Sequence, residues 1–234
     1  MKDDVWMKYL YPIFTLTLAP LVVACSQSNT PAAVADTNYN KVSDNVQNAA
    51  TQPYIETRSD GLSTAIFAGG CFWCTESDFE KISGVIEAVS GYTGGTVDNP
   101  NYKQVSYTET GHFEAVKVIF DPKQVSYREL VDGFWMTIDP TDSRGQFCDK
   151  GTSYRSAVFA TPQQLTEAQA SKAQAVRNKP FAQDFVTPVL AATTFYDAED
   201  YHQNYYKTNS LQYRYYRNGC GRDRRLAQLW GKKS

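Results

Sequence analysis

Two cysteines three positions apart lie in the segment best suited to chemistry, which reads Gly69-Gly70-Cys71-Phe72-Trp73-Cys74. The paired glycines let the backbone turn sharply, because neither carries a Cβ atom. The turn places Cys71 at the predicted start of a helix, where unpaired N–H groups and a partial positive charge favour thiolate over thiol. Since the thiolate is the reactive form of cysteine, the segment predicts a nucleophile at Cys71 rather than a buried structural cysteine.

Glu114 is a candidate general acid. The run Phe113–Phe120 reads FEAVKVIF and predicts a strand, in which alternation places Glu114 on the same face as Val116 and Val118. Exclusion of water from that face would favour the protonated carboxyl and allow proton donation near neutral pH. The pattern leaves open the alternative of an ordinary, solvated carboxylate at the start of the strand.

The other polar candidates carry weaker signals. His112 and His202 do not combine with Cys71 and Cys74 at a zinc-binding spacing, because structural zinc usually has a second close pair of ligands. We therefore expect no metal site and no other cofactor. Three residues in or beside loops, each of which alone is more typical of a turn or of packing, are Tyr102, Asp149 and Tyr154.

The elements that must position these residues alternate irregularly between strand and helix. The predicted strands are 64–68, 85–90, 113–120, 154–160 and a broken strand at 185–195. The predicted helices are 71–82, 126–138, one that begins at Thr161-Pro162, and an aromatic-rich 197–209, with polar loops at 91–111 and 139–153 and an Arg-rich tail. Mixed elements without strict β-α alternation predict an α+β fold, a mixed sheet with helices packed on it as a two-layer sandwich.

The first 24 residues are typical of a bacterial lipoprotein signal. Residues 9–24 are apolar and uncharged, follow Lys2 and Lys8, and are short and proline-interrupted for a membrane-spanning helix. They end in Val22-Val23-Ala24-Cys25, which resembles the lipobox after which the cysteine is lipidated. We therefore expect removal of residues 1–24 and lipidation of Cys25, with a plain cleaved signal or an N-terminal anchor helix as alternatives.

Residues 25–60 predict a flexible tether between that anchor and a catalytic domain at 61–234. The segment is rich in small polar residues and too poor in large apolar groups to offset its ordering entropy. A lipid anchor implies an extracytoplasmic domain on the periplasmic side of a bacterial membrane. Ser26 after the cysteine resembles the outer-membrane default.

Composition excludes one broad class of partner. The net charge is −2 and the sequence contains no basic stripe that could follow a phosphate backbone, so we expect no nucleic-acid binding. A lone catalytic domain of this size is expected to be a monomer.

Five motifs follow one another along residues 64–206. They are Gly70-Cys71-Phe72-Trp73, Gly91-Tyr92-Thr93-Gly94-Gly95, Thr110-Gly111-His112-Phe113-Glu114-Ala115-Val116, Gly151-Thr152-Ser153-Tyr154-Arg155-Ser156 and Ala198-Glu199-Asp200-Tyr201-His202-Gln203. In this order they resemble the A class of the peptide methionine sulfoxide reductases, which acts on the S epimer of the sulfoxide.

The resemblance implies a role for each site residue. The nucleophile of the family corresponds to Cys71 and its acid to Glu114, in agreement with the strand pattern. The remaining correspondences are Phe72 and Trp73 for the pocket of the substrate methyl group, Tyr102 and Tyr154 for hydrogen bonds to the sulfoxide oxygen, and Asp149 for support of the site.

The implied reaction reduces methionine S-sulfoxide, free or in oxidised proteins. It passes through a sulfenic acid on Cys71 and a disulfide that a thioredoxin-like thiol donor reduces. Cys220, flanked by glycines in the predicted tail, is favoured as the resolving thiol because C-terminal resolving cysteines are common in the family. Cys74 and Cys148 remain alternatives.

Two other functions compete with this one. A thiol–disulfide oxidoreductase would use the Cys71–Cys74 pair directly, although the proline-containing partner loop and β-α-β surroundings of that class are not evident. A non-catalytic surface lipoprotein could use the many aromatic residues for binding.

Overall fold

The computed structural model describes residue 58 and residues 60–231. The predicted signal, the lipidation of Cys25 and nearly all of the tether lie outside these residues. Within the described part of the chain, no helix combines the length and apolar character needed to cross a bilayer.

A mixed six-stranded sheet forms the centre of the described domain, in the order β7-β6-β1-β3-β2-β8. Only β6 and β7 pair in parallel; the other neighbours are antiparallel. Its strands are β1 Ser63–Gly69, β2 Val85–Thr93, β3 Phe113–Phe120, β6 Ser156–Ala160, β7 Val189–Ala191 and β8 Tyr196–Asp197. A separate two-stranded hairpin consists of β4 Gly145–Gln146 and β5 Asp149–Lys150.

Seven α-helices are found among the described residues. They are α1 Phe72–Phe79, α2 Tyr102–Tyr107, α3 Tyr127–Trp135, α4 Pro162–Asn178, α5 Tyr205–Thr208, α6 Ser210–Gly219 and α7 Arg222–Trp230. Short 3-10 turns occur at Thr152–Tyr154 and Asp200–His202.

The larger hydrophobic core lies between one face of the sheet and the helices. Phe67 of β1 stacks on Phe79 of α1 with ring centroids 4.5 Å apart and lies 5.0 Å from the ring of Phe134 in α3. Val116 and Val118 of β3 are fully buried in the same core. Burial of these side chains fixes the register of β3, because a slip by one residue would turn them to the other face.

The predicted α+β fold is confirmed, and several element boundaries are close. Strand β3 coincides with the predicted run. Ser126 and Glu129 form the predicted capping box of α3. Thr161 and Gln164 form that of α4, whose N-terminus also carries Pro162.

Three predictions were wrong. The predicted loop 91–111 contains the end of β2 and the helix α2, which has its own capping box from Asn101 and Gln104. The predicted helix 197–209 is a 3-10 turn followed by the short α5. The predicted loop 139–153 contains the hairpin of β4 and β5. The Arg-rich tail, for which no element was predicted, folds into α6 and α7.

Candidate active site

The turn between β1 and α1 places Cys71 at the start of the helix. Gly70 has φ +82°, and a Cβ atom there would lie 2.5 Å from Cβ of Gln146. Gln146 is itself fixed, since its side chain accepts from the Asp139 amide and donates to the Asp139 carbonyl. Glycine is therefore required before Cys71, whose carbonyl accepts the first hydrogen bonds of α1.

Glu114 reaches from β3 to the same helix start. The Phe72 amide donates to Glu114 Oε2 at 3.1 Å, and the carboxyl is buried. Burial raises the pKa of Glu114 to about 8, and the charge of Asp149 acts in the same direction against hydrogen bonds from Phe72 and Tyr154. A buried carboxyl that favours its protonated form at neutral pH therefore lies beside Cys71. Its role as the general acid stays a prediction.

Cys71 and Cys74 are buried free thiols in hydrogen-bonding contact. Burial raises the pKa of Cys71 well above its usual value, and contact with Cys74 adds to the effect. The hydrogen bond from Cys71, together with the positive charges of Arg222 and Arg217, lowers the pKa of Cys74 to about 7 against the effect of burial. The predicted preference of Cys71 for the thiolate is thus opposed by burial, and the first amide of the helix is given to Glu114 instead of to sulfur.

Aromatic side chains surround the two candidate residues of the methyl pocket. Phe72 packs against His202, with centroids 4.9 Å apart, and against Tyr102 at 6.4 Å. Trp73 stacks nearly parallel on Tyr205 at 3.8 Å, and its Nε1 donates to His202 Nδ1 at 3.1 Å. His202 therefore contacts both Phe72 and Trp73 and helps to orient the predicted methyl pocket.

Tyr102, Tyr154 and Asp149 also converge on this site, although they come from three separate segments. Tyr102 and Tyr154 interact through their hydroxyl groups, and Tyr154 also hydrogen-bonds Glu114. Burial raises the pKa of both phenols, so each remains a neutral donor. Burial likewise raises the pKa of Asp149, which interacts electrostatically with Cys71 and Glu114.

The remaining pair of cysteines forms a disulfide. Cys148 and Cys220 are 72 residues apart in sequence, and their Cα atoms lie 4.9 Å apart. Cys220 is therefore bonded to Cys148 rather than to Cys71. The two sulfurs and a carboxylate oxygen of Asp149 group closely enough to resemble a metal site. A disulfide has no thiolate to offer a metal, so in this redox state the group is not a suitable ligand set.

Two site residues were missed from the sequence. Tyr216 of α6 donates a hydrogen bond to Asp149 Oδ2. Arg222 of α7 is buried, donates to the Gly69 carbonyl at 3.1 Å and to the Thr137 carbonyl at 2.8 Å, and influences the charge of Cys74. In the sequence, only proximity to Cys220 pointed to them, since Tyr216 lies four residues before it and Arg222 two residues after it.

A cysteine at a helix start beside a buried acid defines an acid-assisted thiol enzyme. The sequence model of the family described as peptide methionine sulfoxide reductase matches residues 63–234. This chain belongs to that family.

Relatives and solved structures agree. The chain is 50% identical over 168 residues to peptide methionine sulfoxide reductase MsrA 2 of Caulobacter vibrioides, which covers 72% of this chain and 85% of that protein. Identity to the MsrA of Bacillus subtilis is 45% over 176 residues, 75% of this chain and 99% of that one. The crystal structure of reduced Mxr1 from Saccharomyces cerevisiae aligns with a TM-score of 0.60 and 32% identity over 67% of this chain and 91% of that chain. Methionine sulfoxide reductase A of Corynebacterium diphtheriae aligns with a TM-score of 0.58 and 32% identity over 67% and 79%.

Proposed function

We propose that this protein reduces methionine S-sulfoxide, free and in oxidised proteins, to methionine. One observation carries the proposal. The buried carboxyl of Glu114, with a pKa of about 8, accepts a hydrogen bond from the Phe72 amide, which directly follows the Cys71 nucleophile. A sulfoxide sulfur in contact with Cys71 would place its oxygen within reach of that acid. Family membership supports the same reaction.

The first step joins nucleophile and acid. The Cys71 thiolate attacks the sulfoxide sulfur while Glu114 donates a proton to the sulfoxide oxygen, on which negative charge would otherwise build up. The attack forms a bond between the Cys71 sulfur and the substrate sulfur. This bond and the S–O bond then break as the hydroxyl passes to the Cys71 sulfur, so that methionine leaves with the electron pair on its sulfur and Cys71 becomes a sulfenic acid. Tyr102 and Tyr154 donate hydrogen bonds to the same oxygen, Asp149 supports the site, and Phe72 with Trp73 receives the methyl group.

Cys74 is the thiol in direct contact with Cys71, and this contact favours it as the first resolving residue over Cys220. The Cys74 thiolate attacks the sulfenic sulfur, hydroxide leaves and takes up a proton as water, and a Cys71–Cys74 disulfide forms. Arg222 and Arg217 favour the required thiolate, because their charges lower the pKa of Cys74.

Cys220 and Cys148, when reduced, would then carry the oxidation outward. Cys220 attacks the Cys71–Cys74 disulfide, and Cys148 then attacks Cys220 to form the Cys148–Cys220 disulfide. A thioredoxin-like dithiol reduces this disulfide by the same exchange chemistry. The exposure of Cys148 supports contact with an external protein.

A pair of assays separates this function from direct disulfide exchange. We expect the purified protein to reduce methionine S-sulfoxide with dithiothreitol and to leave insulin disulfides unreduced. Insulin reduction without sulfoxide reduction would assign the protein to the thiol–disulfide oxidoreductases and its site to the Cys71–Cys74 pair.

We also propose that the protein is a monomer tethered by a lipid on Cys25 to the periplasmic side of a bacterial membrane, with the outer membrane favoured. The apolar residues 9–24 that end in Val22-Val23-Ala24-Cys25 support this location. Metabolic labelling with a fatty-acid probe is expected to mark the wild type and not Cys25→Ala. An unlabelled wild type, or label that persists in the variant, would contradict lipidation.

A further inference from the structure

Tyr216 reaches the reacting sulfur from the C-terminal helices. Its hydroxyl donates to Asp149 Oδ2. Its ring meets the Trp73 indole edge-on, with centroids 5.8 Å apart. The Tyr216 side chain also packs against the cluster of Cys71, Cys74 and Tyr213, and its hydroxyl interacts with the Cys71 side chain. The residue therefore touches the proposed nucleophile, the methyl pocket and the supporting carboxyl, although none of the five sequence motifs contains it.

The Cys148–Cys220 disulfide restrains the position of the Tyr216 side chain, because its two cysteines lie next to Tyr216 and to its partner Asp149. The Tyr216 carbonyl accepts from the Cys220 amide at 2.9 Å, so the two residues are one helical turn apart. Cys148 directly precedes Asp149. The disulfide and the Tyr216–Asp149 hydrogen bond thus join the same two segments, and the covalent bond limits how far the hydroxyl can move from Cys71.

The sulfurs of Cys71 and Cys74 compete for one negative charge. The charges of Arg222 and Arg217 favour it on Cys74, whereas catalysis requires it on Cys71. A neutral donor aimed at Cys71 favours the reactive distribution, because a hydrogen bond to the charged form stabilises that form. Burial raises the pKa of Tyr216, so its hydroxyl keeps its proton.

One hydroxyl hydrogen can serve Cys71 or Asp149 but not both fully. Burial raises the pKa of Asp149, whereas the hydrogen bond from Tyr216 lowers it. When Cys71 is a thiolate, its negative charge competes with Asp149 Oδ2 for the Tyr216 hydrogen.

We propose that Tyr216 is a further catalytic residue, whose hydroxyl donates a hydrogen bond to the Cys71 thiolate. While Cys148 and Cys220 are oxidised, their disulfide keeps the hydroxyl in place. The proposal rests on the proposed function in taking Cys71 as the reacting thiol.

The test is the pH dependence of Cys71 alkylation in the full-length protein with the Cys148–Cys220 disulfide intact. Mass spectrometry distinguishes modification of Cys71 from modification of Cys74. The groups that face Cys71 and remain unchanged are Cys74 of α1, Tyr102 of α2, Glu114 of β3 and Asp149 of β5. In Tyr216→Phe we expect iodoacetamide to modify Cys71 about tenfold more slowly at pH 7, with the profile displaced upward by about one pH unit. The rate at high pH should be unchanged, because the substitution does not alter the thiolate once it is formed.

Tyr215→Phe is the matched control, since Tyr215 lies next on α6 and is 85% exposed. It should alkylate like the wild type. Equal rates in Tyr216→Phe and wild type would overturn the proposal. A faster rate in Tyr216→Phe would also overturn it, because the hydroxyl would then only shield the sulfur.

The tether is tested by the double variant Cys148→Ser with Cys220→Ser. We expect alkylation of Cys71 at pH 7 to slow about threefold, in the same direction as Tyr216→Phe but less, because Asp149 still attracts the hydroxyl. A double variant identical to wild type would remove the disulfide from the proposal. Since alkylation needs no sulfoxide, these results remain interpretable if the protein proves not to reduce sulfoxides.

Discussion

The two cysteine pairs of this protein are held together in opposite ways. Cys71 and Cys74 are neighbours in sequence, buried at the start of α1, and remain free thiols. Cys148 and Cys220 are distant in sequence and are joined by a disulfide near the surface. The comparison separates substrate chemistry at the inner pair from exchange with an external reductant at the outer pair.

Charge distinguishes the pairs as well. The inner pair lies between a protonated acid, Glu114, and two guanidinium groups, so one sulfur can carry negative charge while a proton is available nearby. The outer disulfide adjoins the carboxyl of Asp149, and its sulfurs do not titrate. Inner and outer variants should therefore fail in different assays.

The largest expected effect is on the inner nucleophile. Cys71→Ser should lower sulfoxide turnover at least about a thousandfold with any reductant, since a serine hydroxyl is not ionised near neutral pH. Turnover of S-sulfoxide with dithiothreitol is the measurement. The double variant Cys148→Ser with Cys220→Ser serves as control and should retain turnover within about threefold, because dithiothreitol can reduce the inner pair directly.

Glu114→Gln should lower kcat/KM about a hundredfold or more, because the amide cannot donate an acidic proton. The wild-type rate should decline as the pH rises past about 8, where Glu114 loses its proton, and this decline should be absent from the variant. Glu87→Gln, an exposed change on β2, is the control. A variant with wild-type rates at pH 7 would exclude Glu114 as the acid.

The same variant makes a prediction about stability. The folded protein holds a proton on Glu114 that the unfolded chain releases near its ordinary pKa of 4.5, so wild-type stability should fall as pH rises from about 4.5 to about 8. Glu114→Gln should lack this loss, which urea unfolding at several pH values would measure. Parallel pH curves for the two proteins would contradict the burial of an ionisable carboxyl.

Cys74→Ser sharpens the comparison within the inner pair. We expect turnover supported by a thioredoxin-like donor to fall about tenfold or more while turnover with dithiothreitol persists, because the small thiol can attack the sulfenic acid itself. Trapping with dimedone should reveal sulfenic acid on Cys71 in this variant. If the donor-supported rate is unchanged and an oxidised Cys71–Cys220 bond is found, Cys220 resolves directly.

Besides its role in exchange, the outer pair should contribute to stability. The double variant Cys148→Ser with Cys220→Ser should unfold with about 2–4 kcal/mol less free energy than wild type, because the disulfide closes a long loop in the unfolded chain. Urea denaturation without reductant measures this difference, and addition of dithiothreitol to the wild type should remove most of it. If the wild type remains more stable than the double variant after reduction, the disulfide is not the cause of the difference.

The half of the site that sequence predicts lies on regular, apolar-patterned elements. The strand position of Glu114 could be predicted because β3 alternates cleanly, and the position of Cys71 before a helix because glycines precede it. Helix α2 was missed because it is six residues long and buries only Val105, too little for a periodic pattern.

The C-terminal helices were missed for a different reason, since charged contacts hold them in addition to the buried Tyr213 and Leu229. Arg217 pairs with Asp78 at 2.8 Å and with Asp223 at 2.6 Å, and the Arg222 guanidinium lies over the Phe147 ring at 4.6 Å. Such contacts depend on residues far apart in the chain, so an Arg-rich tail gives no local sign of them. Tyr216 could be identified only once these contacts had folded the tail over Cys71.

The central claim is most directly tested with the separated S and R epimers of a methionine sulfoxide substrate, the full-length protein and dithiothreitol. The account predicts reduction of the S epimer alone, and loss of that activity in Cys71→Ser. Reduction of neither epimer, or equal activity in Cys71→Ser, would contradict it.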